Sequence, residues 1–178
     1  MCIRDRSTAG RVGDGLIIQI AEPQIVKWLT EQAINAGKDI GKDMSNYKVM
    51  VAAPAYTGPI NKNLEKVKWF PAMVGNHVAD IVEKYGKDTD EVPKSLTAYI
   101  EKRRGYDYSK HGQSDNPYLD FITDDVVESF CVLGEPEAHV EKLKVLENNG
   151  ATQFNIYLDN GDEEKIIADY GEKIIPHF

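Results

Sequence analysis

The chain has 178 residues, 42% of them hydrophobic, which suits one domain or a piece of one with a buried core. Its formal net charge is −8 with both signs interspersed, which argues against nucleic acid or an anionic membrane as the main partner. The longest apolar runs, such as Gly15-Leu16-Ile17-Ile18, are too short to cross a bilayer, no signal peptide is visible, and the widely separated Cys2 and Cys131 read as free thiols of a cytoplasmic protein.

Residues 1–7, Met1-Cys2-Ile3-Arg4-Asp5-Arg6-Ser7, resemble translated sequencing adapter and are set apart from the domain, which is taken as 8–178. Thr8 to Val12 reads as the last turn of a helix, with Gly13 in the left-handed position that follows many helices. Leu16 to Ile20 is a nearly continuous β-branched run, the pattern of a strand buried on both faces. Pro23 suits the first turn of a helix, and Ile25, Val26, Leu29, Ala33 and Ile34 recur at helical spacing up to Gly37.

Tyr47 to Ala53 is the second expected strand, ended by the turn-rich Pro54-Ala55-Tyr56-Thr57-Gly58-Pro59. A long helical region follows, with Leu64, Val67, Trp69 and Phe70 before Pro71 and Met73, Val74, His77, Val78, Ile81 and Tyr85 after it; Pro71 is expected to break or kink it. Another helical piece runs from about Pro93 to Lys102, followed by a basic, aromatic loop from Arg103 to Leu119. Asp124 to Phe130 gives a short helix. Pro136 starts another, with Val140, Leu143 and Leu146 inward and Asn149-Gly150 as its stop. Phe154 to Leu158 is the third strand, and Glu163 to Ile175 a closing helix with Ile166, Ile167, Tyr170 and Ile174 on one side. Strands alternating with helices predict an α/β fold with a parallel sheet, either a small open sheet or an arc of a barrel of about three βα units.

Four stretches carry a family resemblance. Ala9-Gly10-Arg11-Val12-Gly13-Asp14-Gly15-Leu16-Ile17 resembles the alanine-rich helix and Asp-Gly turn of luciferase-like oxidoreductases, and Val132-Leu133-Gly134-Glu135-Pro136-Glu137 resembles their leucine-Gly-Thr/Ser-Pro-Glu segment, with Glu135 in place of the usual helix-capping Thr or Ser. The stretches Trp69-Phe70 through Gly75-Asn76-His77-Val78-Ala79-Asp80 and Arg103-Arg104-Gly105-Tyr106-Asp107-Tyr108 resemble a deazaflavin-dependent subgroup. The resemblance implies the C-terminal part of a TIM-like (β/α)8 barrel. It also implies a flavin- or deazaflavin-dependent oxidoreductase, using coenzyme F420 or FMN for hydride transfer or monooxygenation of a small organic substrate. The full-length parent is expected to be a homo-oligomer, and these residues alone to be inactive because the cofactor phosphate loop precedes Thr8. A non-catalytic flavin-binding or structural partial barrel is the alternative.

In such a barrel the site lies at the C-terminal ends of the strands. That places Gln19 to Glu22, Ala53 to Thr57 and Asp159 to Gly161 on the active face and Asp14-Gly15 on the opposite one. Gln19, a polar residue in an apolar run, needs a partner, either a cofactor ring edge or a neighbouring backbone. His77 reads as a core histidine or a substrate contact. Arg103, Arg104, Tyr106, Tyr108, Lys110 and His111 form a basic, aromatic cluster in an acidic chain, suited to a phosphate or carboxylate on a substrate or else to a solvated loop. Tyr106, Tyr108, His111, His77 and the two arginines are the candidate substrate contacts, and Gln19 the candidate cofactor contact. His139 and His177 read as surface residues, and no metal-ligand spacing or catalytic triad is visible.

Overall fold

A computed structural model describes residues 3–75, 122–158 and 161–178. Helix α1 spans Ile3–Val12, strand β1 Gly15–Ile18, helix α2 Pro23–Lys38 and strand β2 Lys48–Thr57. Helix α3 covers Ile60–Val67, and residues 69–75 are again helical after a turn at Lys68. The later elements are α4 (Asp124–Phe130), β3 (Val132–Gly134), α5 (Pro136–Asn148), β4 (Gln153–Tyr157) and α6 (Glu163–Asp169). A π-helical turn at Tyr170–Ile174 and a 3-10 turn at Ile175–His177 complete the C-terminus.

β2 organises the sheet, and every pairing is parallel. Its first half pairs with β1 (Leu16 opposite Val49, Ile18 opposite Val51), its middle with β4 (Ala52 opposite Asn155, Pro54 opposite Tyr157), and its last three residues with β3. The described sheet therefore has four strands, one more than expected. Val132-Leu133-Gly134 is too short for a periodic signal, and only its pairing with Ala55-Tyr56-Thr57 makes it a strand. β2 also runs four residues beyond its expected end at Ala53. Pro54, which cannot donate to a ladder, sits where pairing passes to β3 at Ala55, a point at which a missing donor is tolerated.

The side chains follow the two-residue period of strands. Ile18, Val51 and Ala53 face α2 and the core with Ile25, Val26 and Leu29, all nearly inaccessible. Each such aliphatic side chain contributes roughly 1.5–3 kcal/mol of burial. The other face is not covered in the same way: Ile17 is 56% exposed, and Gln19, Gln153 and Asn155 are exposed beside it. β1 is thus not buried on both faces; its apolar run conceals one open face.

α1 continues back through residues 3–7, and Arg6 is buried, its guanidinium 4.7 Å from the Trp28 ring centroid and its Nε donating to Gln32 Oε1 at 3.1 Å. Gly13 does not take the expected left-handed conformation. A Cβ there would lie 2.9 Å from the Ala9 carbonyl oxygen, so the glycine serves close approach. Gly150 does take it (φ 99°) and closes α5 as the Asn-Gly pair predicts. Glu135 stands at the N-cap of α5 without a side-chain cap bond, as its type suggests, whereas Glu22 caps α2 by accepting from the Ile25 amide at 2.6 Å. Pro71 falls in the first turn of residues 69–75, and the helical path breaks before it, at Lys68.

α5, β4 and the C-terminal turns enclose an apolar groove of about 670 Å³ lined by Leu146, Phe154, Ile156, Tyr170 and Ile174. Ile167, Ile175 and Phe178 stand at its rim, each about 60% exposed. Ile167 therefore lies outside the buried side formed by Ile166, Tyr170 and Ile174. An exposed apolar surface of this kind is expected to bind a hydrophobic fluorescent dye in the folded state. Ile167→Glu combined with Ile175→Glu should cut that signal several-fold without changing the far-UV circular dichroism.

Candidate functional site

Gln19 follows β1 directly and projects onto the open face, in the same row as Ala52 and Asn155 by continuation of the register. Its Nε2 donates to the Tyr157 hydroxyl at 2.8 Å, joining segments 138 residues apart. The bond spans β2, whose residues on this face at that level are Ala52 and Pro54, both buried beneath it. Tyr157 is held from the other side by Phe70, with centroids 5.7 Å apart, and Trp69 meets Phe70 edge-on at 5.8 Å. The partner of Gln19 in the fold is thus a phenol, which neither the ring-edge nor the backbone expectation named.

On the helix-covered side, Thr57 at the end of β2 anchors α6. Its hydroxyl donates to Asp169 Oδ2 at 2.6 Å, while Lys165 Nζ reaches the same Oδ2 and the Thr57 Oγ1 at 2.7 Å and Lys173 Nζ reaches Oδ1 at 2.5 Å. Lys165, Lys173 and the Thr57 hydroxyl hold the Asp169 carboxyl well below the usual carboxylate range. A carboxyl shifted in this direction stabilises the fold at pH values above its unfolded pKa and loses that contribution as pH falls through its lower folded value. Asp169→Asn is expected to cost about 1–2 kcal/mol near neutrality, measured by urea unfolding, and the difference from wild type should shrink in strong acid.

His139 is not a surface residue. It is fully buried, with Nε2 3.2 Å from the Tyr56 carbonyl oxygen and Nδ1 2.9 Å from the Tyr170 hydroxyl. The carbonyl can only accept, so Nε2 carries the hydrogen and Nδ1 accepts from Tyr170. Burial pushes the imidazole down to about 4, partly offset by the Tyr56 and Gly134 backbones. His177 is exposed, as expected. Lys142 Nζ caps the end of α4 through the carbonyls of Glu128, Ser129 and Cys131, and burial lowers its pKa to about 8.

His77, Arg103, Arg104, Tyr106, Tyr108, Lys110 and His111 lie outside the described residues. Gln19 is the predicted contact that the structure places, and Tyr157 is the group brought to it; the sequence marked Tyr157 only as a strand residue. Among the described residues no cluster of three or more metal-ligating side chains is found, and no helix is long and apolar enough to cross a membrane.

A parallel α/β sheet with an open face of neutral hydrogen-bonding groups defines a partial barrel-like domain whose polar pair stands at the carboxyl ends of its strands. The chain belongs to the luciferase-like monooxygenase family, whose model matches residues 5–153. It is 26% identical over 179 residues to the 5,10-methylenetetrahydromethanopterin reductase of Methanopyrus kandleri, covering 96% of this chain and 47% of that protein. It is also similar in fold to the structure of the coenzyme F420 dependent tetrahydromethanopterin reductase of that organism (TM-score 0.71, 21% identity, 99% of this chain and 49% of that one). An F420-dependent secondary alcohol dehydrogenase in complex with an F420-acetone adduct superposes with TM-score 0.59 at 15% identity, over 98% of this chain and 46% of that one. The chain thus spans about half the length of these relatives.

Proposed function

We propose that the chain is the C-terminal portion, residues 8–178, of a cytoplasmic oxidoreductase that uses coenzyme F420 to transfer hydride to or from a small organic substrate. The Gln19–Tyr157 pair on the uncovered face supports this reading most directly, because it offers neutral hydrogen-bonding groups to a ligand. The relatives support coenzyme F420 over FMN, since the coenzyme is named for the two solved structures described above.

The residues present fit one part of such a cofactor. Gln19 offers a carboxamide and Tyr157 a phenolic hydroxyl, matching the carbonyl and N–H groups along a deazaflavin or flavin ring edge. Bound coenzyme F420 would supply the hydride chemistry. The work of this chain is positional: Gln19 and Tyr157 orient the ring, and Phe70 fixes the Tyr157 phenol. His77 and the loop bearing Arg103, Arg104, Tyr106, Tyr108 and His111 are proposed to meet the substrate. The 178 residues alone are expected to bind the ring without turning it over.

The test is an equilibrium titration of the chain with coenzyme F420, followed by the fluorescence of the deazaflavin ring, with FMN as comparison. Saturable binding of coenzyme F420, tighter than that of FMN, is the expected result. Preference for FMN would overturn the cofactor assignment, and binding of neither would favour a structural partial barrel.

A further inference from the structure

We propose that Gln19 and Tyr157 together form a reader of a cyclic imide, the O=C–NH–C=O edge that flavins and deazaflavins share. Gln19 has one amide hydrogen committed to Tyr157; its second amide hydrogen and its Oε1 have no partner among the described residues. The Tyr157 hydroxyl accepts from Gln19, and among the described residues its own hydrogen is left to donate. The pair therefore presents, side by side, a phenolic donor, an amide donor and a carbonyl acceptor. A carboxamide meets an imide edge in two-point fashion, its oxygen taking the ring N–H and its N–H giving to the adjacent carbonyl. The second lone pair of that carbonyl suits the Tyr157 hydroxyl.

The surroundings make the array rigid. Phe70, fully buried, packs on the Tyr157 ring and fixes its plane. The Gln19–Tyr157 bond fixes the rotation of the carboxamide, so little side-chain freedom is lost when a ligand arrives. Below the pair lie Ala52 and Pro54, both buried. Asn155, exposed in the row of Gln19, provides a second carboxamide on the same face. All of these groups are neutral amides, phenols or hydrocarbon. The pair thus recognises a neutral hydrogen-bonding edge rather than an anionic one, and it does not distinguish a flavin from a deazaflavin. Tyr157 becomes a positioning residue acting with Gln19, and the choice between the two cofactors falls to other residues.

The inference rests on the proposed binding of coenzyme F420 or a flavin, and the experiment separates the two. Coenzyme F420 and FMN are each titrated into the 178-residue chain beside their ring N3-methylated forms, which lack the imide hydrogen. Wild type is expected to bind the methylated ring at least tenfold more weakly. Gln19→Leu should bring that ratio to within about twofold of unity. Tyr157→Phe, which keeps the ring that packs on Phe70, should weaken the unmethylated cofactor several-fold and lower the ratio less. Unchanged circular dichroism and unfolding midpoint show that the variants are folded. A wild-type ratio near one, or a ratio that survives Gln19→Leu, overturns the imide reader and leaves the cofactor reading intact. Absence of binding by either cofactor overturns both.

Discussion

Replacing His139 by alanine is expected to lower the stability of the chain by about 3–5 kcal/mol, measured by urea unfolding near neutral pH. The imidazole is fully buried between α5, β2 and the C-terminal π-helical turn. Its removal opens a cavity and leaves two buried polar groups, the Tyr56 carbonyl and the Tyr170 hydroxyl, without this partner. Each stranded group costs about 1–3 kcal/mol, and the lost volume adds to it. Tyr170→Phe removes only the hydroxyl and should cost about 1 kcal/mol. The same residue sets a pH dependence. Its folded pKa of about 4 lies below the ordinary 6.5, so the unfolded chain takes up the proton first as the solution is acidified. The stabilisation is complete above about pH 6.5 and is lost progressively between 6.5 and 4, by roughly 3 kcal/mol. In His139→Ala that part of the pH dependence should disappear. An alanine variant as stable as wild type, with an unchanged acid limb, would show that the ring is dispensable.

Gly10→Ala is expected to cost about 3 kcal/mol or to prevent α1 from docking. A Cβ at Gly10 would lie 1.9 Å from the Ala33 carbonyl oxygen on α2, a backbone atom that cannot swing aside. On the same seam a Cβ at Gly37 would lie 2.9 Å from the Gly10 carbonyl oxygen. The two helices must separate to accept even one methyl group, and separation also loosens the stacking of Arg6 on Trp28. Gly171→Ala is the matched control, because a methyl group there would meet nothing within 4 Å and its backbone is not left-handed. That change is expected to be neutral or to stabilise by a few tenths of a kcal/mol. Equal unfolding midpoints for the two alanine variants would contradict close packing of α1 on α2.

Much of the fold was legible because its strands and helices keep their periods. The helical stripe from Ile25 to Ala33 and the Asn149-Gly150 stop stand where the sequence puts them, and the apolar run at Leu16 to Ile20 holds a strand that ends at Ile18. Hidden features were those set by contacts between distant segments. β3 is three residues long and exists through its pairing with β2. Pro54 lies within a strand because of where the pairing partners change. His139 could have been found: His139, Leu143 and Leu146 share a helical stripe as regular as the one drawn through Val140, and only the polarity of histidine argued against it. Lys165-x3-Asp169-x3-Lys173 is likewise a readable run of helical ion pairs, although the Thr57 hydroxyl that completes it comes from 112 residues away. At the candidate site the sequence marked Gln19 as a polar residue needing a partner, but its bond to Tyr157 crosses an intervening strand and leaves no local pattern.

Oxidoreductase activity dependent on coenzyme F420 is tested most directly by turnover. The assay would use a protein that carries this chain and has about the length of the relatives. Loss or recovery of the deazaflavin absorbance would then be followed with small alcohols and with reduced one-carbon pterin carriers. Redox turnover that requires coenzyme F420 and falls at least tenfold in Gln19→Leu is the predicted result. Turnover supported by FMN alone, or deazaflavin absorbance that stays unchanged with every substrate offered, would contradict it.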